Sequence, residues 1–218
     1  MQTVLLKAGS FILVIITGYL LKKAGLFKPS ENRTIMKLIM NVTLPAAVIT
    51  SFSHYERDMT LLSVFFLGFF LNILMVVIGY LTAWNKDRSL KAFNMINYSG
   101  YNIGTFAMPY LQSFLGNAGT IVACLFDSGN AVMCTGVTYA AASAVAGEKG
   151  RQGVAGIIKK LVSSVPFDIY LIMMVVYIAD IHFPQPVYTV TGIFGSGNAF
   201  LAMFMIGGAL EFCTDRKK

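Results

Sequence analysis

Charge is scarce in this chain. Only 12% of its 218 residues are Asp, Glu, Lys or Arg, while 56% are hydrophobic; an ordinary soluble domain carries about a quarter charged residues. That balance excludes a soluble globule and implies an integral membrane protein. Cysteine is nearly absent as well. Cys124 and Cys134 lie in apolar runs and Cys213 near the C-terminus, with no CxxC spacing, so neither a disulfide framework nor a metal site is supported. The two histidines, His54 and His182, fall at the ends of apolar runs, where solvation accounts for them. No HExxH, paired aspartates or serine beside a histidine occurs within those runs, which leaves catalysis without its groups. No GxxxxGK[ST] occurs either, so the chain has no ATP engine of its own. These absences predict a protein that is not an enzyme and needs no cofactor.

What is present is a series of apolar runs. A hydrocarbon core of about 30 Å takes roughly 20 apolar residues per helix. Seven runs qualify as transmembrane helices: Val4–Leu21, Thr34–Phe52, Leu61–Trp84, Ala92–Leu115, Thr120–Ala146, the shorter Phe167–Ile181, and Tyr188–Leu210. Fifteen basic residues fall on one side of these runs; only Lys7 and Arg57 fall on the other. By the positive-inside rule the N-terminus is outside and the C-terminus in the cytoplasm. The net charge of +7 follows from this asymmetry, so no nucleic-acid partner is implied; the partner is the bilayer. The basic pair Lys22–Lys23 follows the first run instead of preceding it, so that run is a retained helix and not a cleaved signal.

The outer loops, Gly116–Gly119 and His182–Val187, are too small to bind a large partner. In the link 147–166, Val154, Ile157, Ile158, Leu161 and Val162 recur at helical spacing, which predicts an amphipathic helix on the inner leaflet or a plain connector. A faint internal echo accompanies these runs. Gly25–Pro29 and His182–Pro186 lie 157 residues apart, and the same offset carries Asn41 onto Asn198. A repeat of five helices enters the membrane the second time from the opposite face, the inverted-topology plan of many transporters. Residues 1–146 then form the first repeat, and 167–218 begin the second.

The fourth run holds "YNIGTFAMPYLQSFLG". Pro109 cannot donate a hydrogen bond to the carbonyl of Thr105 and crowds it; Gly104 loosens the preceding turn, and Asn102 sets an amide further back. Freed backbone groups cannot face lipid. Either neighbours satisfy a simple kink, or the groups line a watery cavity where the half-helix after Pro109 presents N–H groups to an anion. In the fifth run, Asp127 is the one carboxylate deep in a span, at an insertion cost of around 2.5–3.5 kcal/mol when ionised. Asn130, Cys134 and Thr138 follow on the same helical stripe, which should face inward. Asp127 is a candidate for H+ or Na+ coupling, or for a structural hydrogen bond. Asn41 with Pro45 opens the second run, Asn198 lies among glycines in the seventh, and Asn72 in the third reads as an interhelical hydrogen bond.

"NVTLPAAV", "YNIGTFAMPYLQSFLG", "LFDSGNAV", "GLFKP" and "LAMFMIGGAL" together resemble the auxin efflux carrier family, which includes bacterial permeases for small organic acids. The resemblance implies ten helices in two inverted five-helix repeats, akin to the bile-acid symporter fold. Helices 1, 2, 6 and 7 would form a scaffold and homodimer interface, and helices 3–5 and 8–10 a mobile transport unit. Asn102, Gly104, Thr105 and Pro109 would belong to the first of two broken helices crossing at the substrate site, with Asp127 and Asn130 beside it. The implied protein is a secondary transporter for a small organic anion such as a carboxylate, in the bacterial inner membrane. Helices 8–10 are absent, so the resemblance also implies either a truncated chain or a natural short form that needs a partner to supply the missing half, and in both cases one that does not transport alone. The alternative is a seven-helix receptor or sensor, although the last run contains no lysine to bind retinal.

Overall fold

The computed structural model describes residues 2–53, 55, 58–147 and 154–211, and every regular element among them is helical. The expectations for His54, Arg57, Lys149, Arg151, Cys213 and the three C-terminal basic residues lie outside the described residues.

Helix α1 (Gln2–Lys23) ends on Lys22 and Lys23, where cations suit the negative end of the helix. Helix α2 (Pro29–Leu38) starts on a proline whose missing N–H costs nothing there, and Glu31 accepts from the Lys28 amide at 2.7 Å. It continues through a wide turn, Ile39–Thr43, into α3 (Leu44–Ser51). Pro45 follows that wide turn closely, and its ring needs the room the extra residue makes. A short 3₁₀ turn, Met59–Leu62, leads into α4 (Ser63–Thr82). Then come α5 (Arg88–Tyr98), a second wide turn Ile103–Ala107, α6 (Met108–Val132), a third wide turn Met133–Val137, and α7 (Thr138–Ala146). The chain closes with α8 (Val154–Leu161), α9 (Val165–Ile178), α10 (Gln185–Ser196) and α11 (Asn198–Ala209).

Among the described residues, four helical stretches are long and apolar enough to cross a membrane: Val4–Lys23, Ser30–Ser51, Met59–Thr82 and Gln185–Ala209. The other expected spans take a different form. The fourth is divided between α5 and the start of α6. The loop expected at Gly116–Gly119 shrinks to Gly116 alone, whose φ of 62° and ψ of −146° turn the chain inside α6. Helix α9, at 14 residues, measures only about 21 Å, short of a full bilayer core. In α8, Ile158 is exposed, as is Val162 just after it.

Glycines set how closely the helices pack. A Cβ on Gly18 of α1 would meet the Phe204 carbonyl of α11, and one on Gly207 would meet the Ile15 carbonyl of α1. Gly195 of α10 lies against the Ala47 backbone of α3. Gly68 of α4 faces the Phe126 carbonyl of α6, and Gly129 of α6 faces Phe65 of α4. Small residues of this kind let helix backbones touch without a water-driven core. Where α3, α6, α9 and α11 converge, Leu44, Met108, Leu125, Tyr170 and Met203 are buried together, and a smaller cluster around Met95 and Met133 joins α4, α5 and α7. Outward faces stay apolar and exposed, as at Leu6 (71%) and Ile193 (71%), which is the surface a lipid-embedded, multi-pass protein presents.

Candidate functional site

Helix α5 stops at Tyr98, and residues 99–102 are not helical. Gly100 takes a φ of 90°, a region that glycine enters without strain. Helical turns resume at Ile103. The interruption therefore lies seven residues or more ahead of Pro109, which corrects the expectation of a break at the proline. The physical reason is the wide turn Ile103–Ala107. There the amides of Ala107 and Met108 reach back five residues, to the carbonyls of Asn102 (3.2 Å) and Ile103. Pro109 enters α6 without stopping it. The exposed N–H end thus belongs to Ile103–Thr105 and not to the residues after Pro109.

Two asparagines satisfy the backbone that the break sets free. Asn72 of α4 accepts from the Gly100 amide at 2.9 Å and donates to the Gly68 carbonyl at 2.8 Å. Asn130 of α6 pairs with Tyr101 on both sides, donating to its carbonyl at 2.8 Å and accepting from its amide at 3.2 Å. The two amides are joined, Asn72 Nδ2 donating to Asn130 Oδ1 at 3.1 Å. The second hydrogen of Asn130 Nδ2 goes to Asp127 Oδ1 at 2.7 Å. The Cys134 thiol donates to Asn130 Oδ1 at 3.0 Å. Asn72 does form the interhelical bond its sequence context suggested, and it also holds the break.

A cavity of about 320 Å³ opens beside this network. Of the sequence-derived site residues, Asn102, Gly104, Thr105, Asp127 and Asn130 line it. Pro109 is buried at the start of α6 and does not. Asn41 is exposed and donates to Lys37 of its own helix at 2.7 Å, apart from the cavity. Asn198 is fully buried elsewhere, where its Oδ1 accepts from Thr43 at 3.0 Å and its Nδ2 has no partner among the described residues. Of the stripe Asp127–Asn130–Cys134–Thr138, Asp127, Asn130 and Thr138 are buried and Cys134 is exposed; the first three line this cavity, and Cys134 and Thr138 line a second one with Ser99.

Sequence reasoning missed Tyr170. It stands on α9, 1% exposed, with its ring in the buried cluster and its hydroxyl in the cavity wall. That hydroxyl lies close enough to Asp127 to interact with it, yet among the described residues it forms no regular hydrogen bond. One tyrosine in an apolar run carries no signal by itself. Among the described residues, no lysine, arginine or histidine lines the cavity. The polar character comes from Asp127, from the amides, and from the first N–H groups of Ile103–Thr105, which no preceding helical turn can accept. Asn102 does not cap them; its Oδ1 accepts instead from the Thr105 hydroxyl at 2.5 Å.

Residues 7–156 match the family described as Membrane transport protein. An uncharacterized transporter of Methanothermobacter thermautotrophicus is 23% identical over 151 residues, covering 65% of this chain and 48% of that protein. The chain thus spans about half the length of the curated relative it matches. No solved structure matches. The family match includes Asn72, the break, Asp127 and Asn130, and ends before Tyr170.

Proposed function

The chain belongs to the membrane transport protein family, that of the auxin efflux carriers, and on that premise we propose that it takes part in secondary transport of a small organic anion, received at the interrupted helix. The observation that carries this reading is the start of the helical run at Ile103. Its uncapped N–H groups open into a cavity with room for a small carboxylate, and a helix N-terminus favours negative charge. The substrate class, the place of binding and any H+ or Na+ coupling are proposals.

The same reading places seven spans in the bilayer, N-terminus outside, with 1–146 as one inverted repeat and 167–218 opening a second. Helices α1, α2–α3, α9 and α10–α11 would be the scaffold and homodimer face, and α4–α7 the moving part. It is supported by the close glycine contacts of α1 with α11 and of α3 with α10. It is also supported by the basic residues gathered at the ends of the first and third runs.

Binding tests the proposal directly. The purified chain in lipid nanodiscs is heated with acetate, lactate, benzoate, malonate or malate. A ligand specific to the folded state at a hundred times its Kd stabilises by about 2.7 kcal/mol. At least one acid should raise the melting temperature. Gly104→Val should remove the effect, because a side chain there projects toward Leu44 and the Tyr170 hydroxyl. Asn41→Ala should retain it. Stabilisation by none of the acids, or an undiminished response in Gly104→Val, would refute the assignment.

A further inference from the structure

An anion in this cavity meets a like charge. Among the described residues, Asp127 is its only acidic lining residue, and no basic side chain there offsets it. The titratable groups facing Asp127 are Cys124 and Cys134 on its own helical run and Tyr170 from α9. Asn130 and Asn72, the latter from α4, bring only amides, while Met40 and Leu44 from the α2–α3 stretch bring only apolar groups.

Tyr170 is placed to resolve the conflict. Its hydroxyl is buried, makes no regular hydrogen bond among the described residues, and has Asp127 within reach to interact with, so it is left under-satisfied. A methyl group built on Gly104 would stand 3.2 Å from that hydroxyl and 3.7 Å from Asp127 Oδ2. Both polar atoms therefore flank the same bare stretch of backbone at the start of the helical run. Oδ1 of Asp127 already accepts from Asn130, so Oδ2 is the oxygen left over.

A phenol has one hydrogen to give and lone pairs to receive another. Beside an ionised Asp127, that hydrogen turns to Oδ2 and none remains for a ligand. Beside a protonated Asp127, the carboxyl donates to the phenol oxygen, and the phenol hydrogen is released toward the cavity. We propose that Tyr170 couples anion binding to protonation of Asp127, so that each carboxylate group bound is accompanied by one proton drawn from water onto Oδ2. The chain of hydrogen bonds runs from Asp127 O–H to Tyr170 Oη, and from Tyr170 O–H to the ligand oxygen. Only the O–H bond on Asp127 forms, and a monocarboxylate with its proton enters as a neutral pair. This inference rests on the anion reading above and adds a specificity-determining residue and a co-ligand to it.

Titration calorimetry tests it. The chain in nanodiscs is titrated with the carboxylates that raise its melting temperature, in buffers of different ionisation enthalpy. The expected result is uptake of close to one proton per anion. Affinity should weaken about tenfold per pH unit once Asp127 ionises in the unliganded protein. Asp127→Asn, whose amide donates to Tyr170 as a protonated acid would, should bind with no proton uptake and no pH dependence. Tyr170→Phe should lose at least tenfold in affinity at low pH and approach the wild type at high pH, a convergence that a purely structural defect would not produce. Binding by the wild type without proton uptake overturns this inference alone. Binding of none of the carboxylates overturns it together with the anion reading. The wild-type measurement stands even if a variant fails to fold.

Discussion

Replacing Asn72 with alanine is the most direct trial of how the interruption is held. Asn72 is fully buried and, besides a long bond accepted from the Cys134 thiol at 3.9 Å, makes two shorter bonds that leave its own helix: it accepts from the Gly100 amide at 2.9 Å and donates to Asn130 Oδ1 at 3.1 Å. Interhelical hydrogen bonds in membranes contribute about 0.6 kcal/mol each, and at most about 1.7. Loss of both therefore predicts about 1–3 kcal/mol, which includes an orphaned Gly100 N–H with no turn to accept it. That corresponds to roughly five- to 150-fold in the folded-to-unfolded ratio. Reversible unfolding in mixed micelles reads the stability, and hydrogen exchange of the Gly100 amide reads the break itself. Asn41→Ala, which loses only a bond to its own helix on an exposed face, should stay within about 0.5 kcal/mol. If Asn72→Ala is as stable as Asn41→Ala and leaves Gly100 exchange unchanged, Asn72 does not hold the break.

Three further outcomes are expected. Gly129→Ala would place a methyl group 2.9 Å from the Phe69 amide and against the Phe65 carbonyl of α4; prying α6 from α4 should cost about 1–3 kcal/mol, and an unchanged melting temperature would deny the close approach. Gly116→Ala meets no neighbour within 4 Å but must keep a φ of 62°, so backbone strain alone should cost about 1–3 kcal/mol, and a neutral result would place the turn elsewhere. Asp58 accepts from the Thr60 hydroxyl at 2.6 Å and the Thr60 amide at 2.9 Å, and these bonds hold its carboxyl below the ordinary aspartate value. A depressed acid stabilises the fold above its ordinary value and loses that contribution as pH falls through the lowered one. The protection of the Thr60 amide, the slowing of its exchange relative to an unprotected amide at the same pH, should therefore fall below about pH 4, and Asp58→Asn should flatten that dependence.

The cavity-lining stripe of Asp127, Asn130 and Cys134 was legible because a helix period puts i, i+3 and i+7 on one face, and a lone deep carboxylate has few other uses. Membership of the family was legible for a related reason, since most of the motif residues sit together in the first five runs, with "LAMFMIGGAL" alone in the seventh. The place of the interruption was not legible. Proline announces a disturbed helix, but a wide turn absorbed it and let Gly100 take the break further back. Asn41 and Asn198 share an offset yet have different surroundings, one on an exposed face and one sealed against Thr43, because packing partners are invisible to spacing. Tyr170 was illegible because its role arises from the partner across the cavity and not from its own stretch of chain.

The three wide turns hold one consequence of their own. Each is an ordinary helix into which one extra residue has been fitted, so each is a place where the chain has length to spare. Deleting a single residue within Met133–Val137 would let that turn relax to regular winding while both flanking segments keep their facing. The same deletion in the middle of α4 would swing everything beyond it by about 100° and turn Asn72 away from Asn130. Tolerance to losing one residue should thus be concentrated at these three places, as slack is in a rope tied off with bights.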